Sequence, residues 1–536
     1  MDTLALYRIK CNERQLETWI TTAIDRSIRN LYLKRNFVSF PRSLFNCKTI
    51  VKLKLDFCGA PLSAVDSVSL PSLKKFHVSN VVCENDEALP HFLSGCPSLE
   101  VLNMAVIYEV YDYVGCINIS SPTIKKLKLD LDDLPYSSNL KYRMIVNAPA
   151  LRYLQVDGYF LECITNPTTM ISLVEADINL QNWFSNCETD YNSTSKVVKF
   201  LHSLSYVKCL KISGWDFVEF IRRGLTRSNV KFDNLTKLEL LLNFKKFHVS
   251  NIGCENDEAL SRFLSGCPSL EELNMEFTSV EEGPLCYYYT GCINISSPTI
   301  NTLKLDLDDL TCPSRNRYRM IINAPALRYL QVYGYDLECI TIPITMISLV
   351  EADISLQNYC LANLETNYDS TVMEKLLHSL CYVKCLKISG WEFVEFVRRG
   401  LACSTVKFDN LTKLEVQWHF DGSLLVKFLK VADNLQVLIC ERVYLEKGYL
   451  CPEAEQVPKC LLSCLRTITF KSMYFSEYEF DMVRYLLGNS RVLERMELFT
   501  SPYGCHDLET KSQALKRISL FERGSSACQL AILPNC

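Results

Sequence analysis

The chain repeats itself almost word for word. Gly115–Ile124 (GCINISSPTI) returns as Gly291–Ile300, and Asn147–Val156 (NAPALRYLQV) returns as Asn323–Val332. The duplicated units run roughly over 74–240 and 245–416. Inside each copy a shorter phrase recurs, of the form apolar-x-x-apolar-x-apolar. Its last two apolar positions include Leu31/Leu33, Leu53/Leu55, Phe76/Val78, Leu102/Met104, Leu127/Leu129, Leu154/Val156, Ala176/Ile178, Leu210/Ile212 and Leu238/Leu240. The second copy adds Phe247/Val249, Leu273/Met275, Leu303/Leu305, Leu330/Val332, Ala352/Ile354, Leu386/Ile388 and Leu414/Val416. Further phrases follow at Leu438/Cys440, Ile468/Phe470, Met496/Leu498 and Ile518/Leu520.

Most steps are about 22 to 30 residues, the period of a leucine-rich repeat. An L-x-L core alternates with period two, so it reads as a short strand with one buried face. The rest of each unit must cross to the other side and return, as a helix or an irregular turn. No unit can bury its face alone; stacked parallel strands about 4.8 Å apart can. The fold class expected is therefore α/β: a leucine-rich-repeat solenoid with a parallel sheet and helical or irregular outer segments. Helical spacing marks 85–93, 196–204 and the segment opened by the capping-box pattern Ser476-Glu477-Tyr478-Glu479.

The ladder breaks once. Leu238/Leu240 and Phe247/Val249 leave no crossing segment between them, and a parallel connection needs a dozen or more residues. Residues 238–251 are thus expected to form one long strand, a hairpin or a kink that divides the solenoid into two arcs. The domains expected are 1–240 (first repeat region), 241–450 (second repeat region) and 451–536 (C-terminal module).

Composition excludes several function classes. A chain that is 48% hydrophobic and 22% charged is not largely disordered. A net charge of -4 with no dense basic run argues against a nucleic-acid partner. No run of about 18 apolar residues exists, so no membrane span is expected, and the first twenty residues lack the apolar core of a signal peptide. The 26 cysteines form no C-x-x-C pair and often sit beside the ladder, so they read as intracellular structural thiols. The expected location is cytoplasmic, nuclear or both. There is no Walker loop, no H-E-x-x-H, no nucleophile elbow and no dinucleotide-binding glycine fingerprint. No cofactor, no metal site and no enzyme activity are expected.

Strand alternation points the middle residue of each L-x-L away from the core. That row is Lys54, His77, Asn103, Lys128, Gln155, Asp177, Lys211 and Glu239, then His248, Asn274, Lys304, Gln331, Asp353, Lys387 and Glu415. Tyr153, Glu175, Tyr329 and Glu351 should flank it. A face mixing charge with aromatic side chains suits an as yet unidentified protein ligand.

Three phrases carry a more specific likeness: Ser43–Leu55 (SLFNCKTIVKLKL), Gly95–Glu100 (GCPSLE) and Asn147–Leu154 (NAPALRYL) resemble the repeats of plant F-box/LRR proteins. The stretch from Val457-Pro458-Lys459-Cys460-Leu461 through Val492-Leu493-Glu494-Arg495-Met496 to Ser525–Leu530 resembles their C-terminal FBD module. Members of that family begin with an F-box that docks on the adaptor of a ubiquitin ligase. Here Leu16-Glu17-Thr18-Trp19-Ile20 already resembles the segment ahead of the first repeats. The resemblance implies a non-catalytic interaction protein akin to the substrate-recognition part of such a receptor, without the F-box and without adaptor binding. The alternatives are a true F-box substrate receptor truncated at its N-terminus by the gene model, and an enzyme using a cleft between the two arcs.

Overall fold

The computed structural model describes residues 2–7, 12–34, 41–56, 67–79, 87–105, 116–131, 143–158, 164–165, 170–180, 199–214, 230–244, 258–279, 292–307, 319–334, 340–342, 346–356, 378–390, 406–417, 422–441, 457–501 and 508–533. The chain divides into two compact units. One comprises Met1–Lys245 with Glu258–Leu270, and the other contains Glu271–Cys536.

The first unit is a ladder of parallel strands taken in chain order. They are Thr3–Tyr7, Asn30–Lys34, Lys52–Asp56, Lys75–Ser79, Val101–Ala105, Lys126–Leu131, Tyr153–Gly158, Glu175–Leu180, Cys209–Gly214 and Lys237–Phe244. The second unit repeats the arrangement with Glu272–Ser279, Thr302–Leu307, Tyr329–Gly334, Glu351–Leu356, Cys385–Ser389 and Lys413–Gln417. It continues through Val437–Glu441, Thr467–Met473, Arg495–Thr500 and Gln529–Leu533. Each unit is a leucine-rich-repeat solenoid, as the period implies.

Register is fixed at the entry to each strand. Lys74 and Lys75 both donate their backbone N–H to Val51 O, at 2.9 and 3.1 Å. Glu100 and Val101 do the same to Lys74 O, and Arg152 and Tyr153 to Lys125 O. This two-pronged bond recurs along both ladders. Just ahead of it lies a β-turn whose last residue is a buried aliphatic. Leu99 N–H donates to Cys96 O (3.1 Å) and Leu151 N–H to Ala148 O (3.0 Å), with Pro97 and Pro149 second in their turns. Proline there pre-sets the backbone angle that the turn requires, and it gives up only an N–H that the turn does not use.

The L-x-L leucines form the core. Leu53, Leu55, Phe76, Val78, Leu127, Leu129, Leu303, Leu305, Leu414 and Val416 are all buried. On the other side of each unit, helices close the core. Ala88–Ser94 places Phe92 4.7 Å from Phe76 and 6.0 Å from Phe45. Gly422–Val431 stacks Phe428 4.9 Å from Phe408. Strand ends that cross closely use glycine: at Gly158 (φ 142°) an added Cβ would lie 2.7 Å from Leu131 Cβ, and Gly334 (φ 154°) stands in the same relation to Leu307.

Four expectations need correction or extension. First, the outer segments are not only helical or irregular. Cys116–Ser120, Arg143–Asn147 and Ile164–Thr165 form a second parallel sheet, as do Cys292–Ser296, Arg319–Asn323 and Ile340–Thr341. The alternating CINIS and RMIVN runs, with Ile117, Ile119, Met144 and Val146 buried, are the period-two signal for it. Second, Ile518/Leu520 is not a ladder strand. Leu508–Ser519 is a helix, Leu520 is 84% exposed, and the closing strand is Gln529–Leu533. Third, Thr3–Tyr7 adds a rung that the sequence reading passed over. Fourth, of the alternatives for the break, the described part is one long strand, followed further on by a helix of the first unit. Lys237–Phe244 is a single long strand, and Glu258–Ser265 then packs into the first unit. Phe263 lies 5.4 Å from Phe232, whose N–H donates to Gly266 O at 2.8 Å. Residues 245–251, including Phe247, His248 and Val249, lie outside the described residues.

The C-terminal stretch extends the second ladder and adds its own clamp. Ser476 and Glu479 form the expected capping box on the helix Glu477–Asn489. Glu479 also accepts the N–H of Tyr474 at 3.2 Å, holding Phe475 at φ 58°. Arg517 on the helix Leu508–Ser519 pairs with Glu477 and lies 4.2 Å from the Phe480 ring centroid.

Two substitutions test this packing. Phe92→Ala should cost about 3–5 kcal/mol, because a fully buried ring touching two others leaves a cavity. Ser476→Ala should cost only about 1 kcal/mol, the value of one cap. Denaturant melts of both variants should show that order.

Candidate protein-binding face of the sheet

A strand that buries alternate side chains must present the others on the opposite face. In the first unit the middle row is Tyr32, Lys54, His77, Asn103, Lys128, Gln155, Asp177, Lys211 and Glu239, each beside the next across the ladder. In the second unit Asn274, Lys304, Gln331, Asp353, Lys387 and Glu415 follow the same order. Lys211 is exposed and the others are half-buried. All the proposed face residues therefore share one face within their own unit, except His248, which lies outside the described residues.

Two flanking rows, two residues before and two after, complete the face. The earlier row holds Lys52, Lys75, Tyr153 and Glu175, and Tyr329 and Glu351 in the second unit, where alternation puts them. The later row was missed by sequence reasoning, although the same alternation could have found it. It holds Lys34, Asp56, Ser79, Asp130 and Asp157.

The later row contains the most buried charge of the face. Asp56 accepts the Ser79 hydroxyl and lies 3.1 Å from Lys34 Nζ and 3.9 Å from Lys54 Nζ. Burial alone would raise its carboxyl. The Ser79 hydrogen bond and the two ammonium groups outweigh that and hold it below the ordinary aspartate value. His77 is lowered, by burial first and then by Lys54.

Further along the sheet the sign reverses. Asp157 and Asp177 are both raised, chiefly by burial; Asp177 and Asp130 add repulsion at Asp157, and Glu175 and Glu239 at Asp177. Gln155 joins them, accepting from Tyr153 Oη at 3.2 Å and donating to Asp157 Oδ2 at 2.9 Å. Lys126 Nζ sits 4.1 Å from the Tyr153 ring centroid. In the second unit Tyr333 replaces Asp157, while Tyr329 and Gln331 keep their hydrogen bond at 3.5 Å. Lys387 pairs with Asp353 at 3.0 Å, and Lys471 with Glu415 at 3.0 Å. Such an array of fixed donors, acceptors and rings can hold another polypeptide by hydrogen bonds, ion pairs and stacking.

Asp56→Asn should lower stability by about 1–3 kcal/mol at neutral pH, the scale of a charge-assisted hydrogen bond. Because the folded-state value is depressed, that stabilisation is present above the unfolded aspartate range and is lost as pH falls through the folded value. The gap between wild type and Asp56→Asn should therefore narrow in acid. Asp157→Asn should behave oppositely. Its carboxyl is raised, so ionisation opposes folding, and the variant should be no less stable at pH 7. Thermal melts across pH check both signs.

Comparison with known proteins agrees with this architecture. Residues 16–181 match the family model described as FBD-associated F-box protein At5g56370, LRR repeats. Residues 453–498 match the FBD model, and 246–268 a leucine-rich-repeat model. The F-box/FBD/LRR-repeat protein At5g22660 of Arabidopsis thaliana is 27% identical over 311 residues, covering 55% of this chain and 64% of its own length. Putative F-box/FBD/LRR-repeat protein At5g25850 of the same plant is 28% identical over 289 residues, 51% of this chain and 55% of its own. FBD-associated F-box protein At3g52670, also from Arabidopsis, is 33% identical over 177 residues, 32% and 40% respectively. The chain thus spans 40 to 64% of the length of these relatives. With its repeat ladders and its FBD match in place, the chain is similar to the plant F-box/FBD/LRR-repeat proteins.

Proposed function

We propose that this chain is a non-catalytic recognition module, which holds a protein ligand on the solvent face of its main sheet. The observation that carries the reading is the registered row of polar, charged and aromatic side chains. It stands on rigid strands and is repeated position for position from Asn103 to Glu239 and from Asn274 to Glu415. The family supports it, because leucine-rich-repeat proteins of this kind are interaction modules. No helix among the described residues is long and apolar enough to cross a membrane, and the buried thiols fit the cytoplasm or nucleus.

Within that reading, the 536 residues act as a substrate-recognition part without binding the ligase adaptor themselves. The helix Glu13–Asp25 supports this, since it buries Leu16, Ile20 and Ala23 within its own unit. A second reading is favoured by the relatives, whose names include the F-box and whose length exceeds the matched region. In that reading the same repeats serve a ligase receptor whose F-box lies outside these residues. Pull-down with the adaptor separates the two: background recovery is expected, and robust direct binding would remove the first reading.

The face itself is tested with a photo-crosslinking residue placed at Gln155 or Gln331, and at exposed Lys427 and Lys430 as controls. One partner should be captured from both sheet positions. Once purified, it should bind the wild-type chain and lose about tenfold in affinity, about 1.4 kcal/mol, with Lys128→Glu plus Lys304→Glu. Equal capture from the helix positions would overturn the assignment.

A further inference from the structure

One corner of the first unit's sheet carries more ammonium groups than its single carboxylate can pair. Elsewhere on the face several lysines have a carboxylate of their own: Lys387 with Asp353, Lys471 with Glu415, Lys237 with Glu239, Lys304 with Glu272; Lys126 lies over the Tyr153 ring instead. On the three neighbouring strands Asn30–Lys34, Lys52–Asp56 and Lys75–Ser79, four ammonium groups and His77 share a single carboxylate. That carboxylate is already committed, because Asp56 takes the Ser79 hydroxyl, Lys34 and Lys54. Lys52 and Lys75 stand directly opposite each other in register, and both are exposed. Glu100 is close enough to influence Lys75, yet its ion pair is with Lys125 at 2.9 Å. Like charges directly opposite across a ladder destabilise it. The next strand offers only Val101, Asn103 and Ala105, so nothing on it relieves them.

We infer that Lys52, Lys54, Lys75, His77 and Lys34 form a docking site for an acidic, extended segment of a partner protein. The geometry favours a run of carboxylates over a single phosphate. Lys52 and Lys54 are spaced as alternate residues of one strand, about 6.6 Å apart, and Lys75 stands one strand away, about 4.8 Å. Lys34 and Lys54 already converge on Asp56, while Lys52 and Lys75 lie a residue pair further along their strands, with no shared acceptor between them among the described residues. The strand N–H groups that could cradle a phosphate are engaged in the ladder. An extended chain with glutamate or aspartate at alternate positions presents carboxylates at the same 6.6 Å interval. The acidic stretch at Asp157, Glu175 and Asp177 repels such a segment, which confines it to this end. The second unit opens with Glu272 and Glu276, so the site belongs to the first unit among the described residues.

The inference rests on the sheet face being the docking surface, and its test is independent of the crosslinking described above. The probe is a fluorescent peptide of about ten residues alternating Glu and Ser, long enough to cross these strands. Its control has Gln for Glu. Anisotropy with the full chain at low ionic strength should show binding of the Glu peptide alone. Lys52→Glu plus Lys75→Glu should weaken it about tenfold or more, and Lys52→Gln plus Lys75→Gln by less. The charge-matched Lys427→Glu plus Lys430→Glu should leave it unchanged. Inorganic phosphate should compete no better than chloride at equal ionic strength. Absence of binding, equal binding of the Gln peptide, equal loss in the Lys427/Lys430 variant, or specific displacement by phosphate would each overturn the site. Circular-dichroism melts of Lys52→Gln plus Lys75→Gln should match or exceed wild type, since removing opposed charges relieves the sheet, and the Glu pair should give a folded spectrum. Crosslinking at Gln155 and Gln331 can succeed whichever way this test falls.

Discussion

The parallel stacking of one short strand on the next governs everything else in this protein. Most rungs bury two apolar side chains, and along both ladders a carbonyl that accepts two successive N–H groups recurs as the lock between one rung and the rung before it. Because side chains alternate, a slip of one residue would turn every leucine outward and every lysine inward. The buried row and the entry bond therefore specify one register between them. That register places Lys54 beside His77 and Gln155 beside Asp177. The candidate face is a consequence of the core, not a separate feature added to it.

The same constraint explains where polar groups tolerate burial. Asp56 is almost enclosed because Ser79 and Lys34 on the adjoining strands and Lys54 on its own strand reach it. Asp157 and Asp177 lack comparable compensation, and their carboxyl values rise. On a sheet, a carboxylate's partners are decided by the neighbouring rungs, which lie more than twenty residues away in the chain. Side chains of identical type therefore behave in opposite ways on one face. The thiols show a simpler version of this. Cys96, Cys267 and Cys460 are raised to about 12 by burial, in keeping with small apolar residues of the core.

The duplication has a structural cost that the fold absorbs locally. The last strand of the first copy has no crossing segment of its own before the second copy begins. The helix Glu258–Ser265, written in the second copy, packs into the first unit with Phe263 against Phe232. The homologous contact in the first copy is made by Phe92 against Phe76, and a third instance by Phe428 against Phe408. An aromatic helix residue over an aromatic in the ladder or its entry turn is thus a reusable joint. The helix serves whichever ladder precedes it.

By itself the sequence determined the solenoid, the ladder leucines, the capping box at Ser476 and the side of the sheet on which Lys54, Gln155, Asp353 and their companions stand. Each of these depends on spacing within one repeat, and spacing is local. Tertiary structure decided the rest. The outer strands at Cys116–Ser120 and Arg143–Asn147 exist because each pairs with the other, and a five-residue alternating run has no strand identity without its neighbour. In the Ile518/Leu520 phrase, Ile518 is buried on the helix Leu508–Ser519 and Leu520 is exposed just beyond it, while Leu530 and Ile532 took the last rung. Above all, which charges meet was invisible in one dimension. Lys52 opposes Lys75 and Lys34 reaches Asp56 only because successive turns of the chain return to the same height, and that return is set by packing across the whole core.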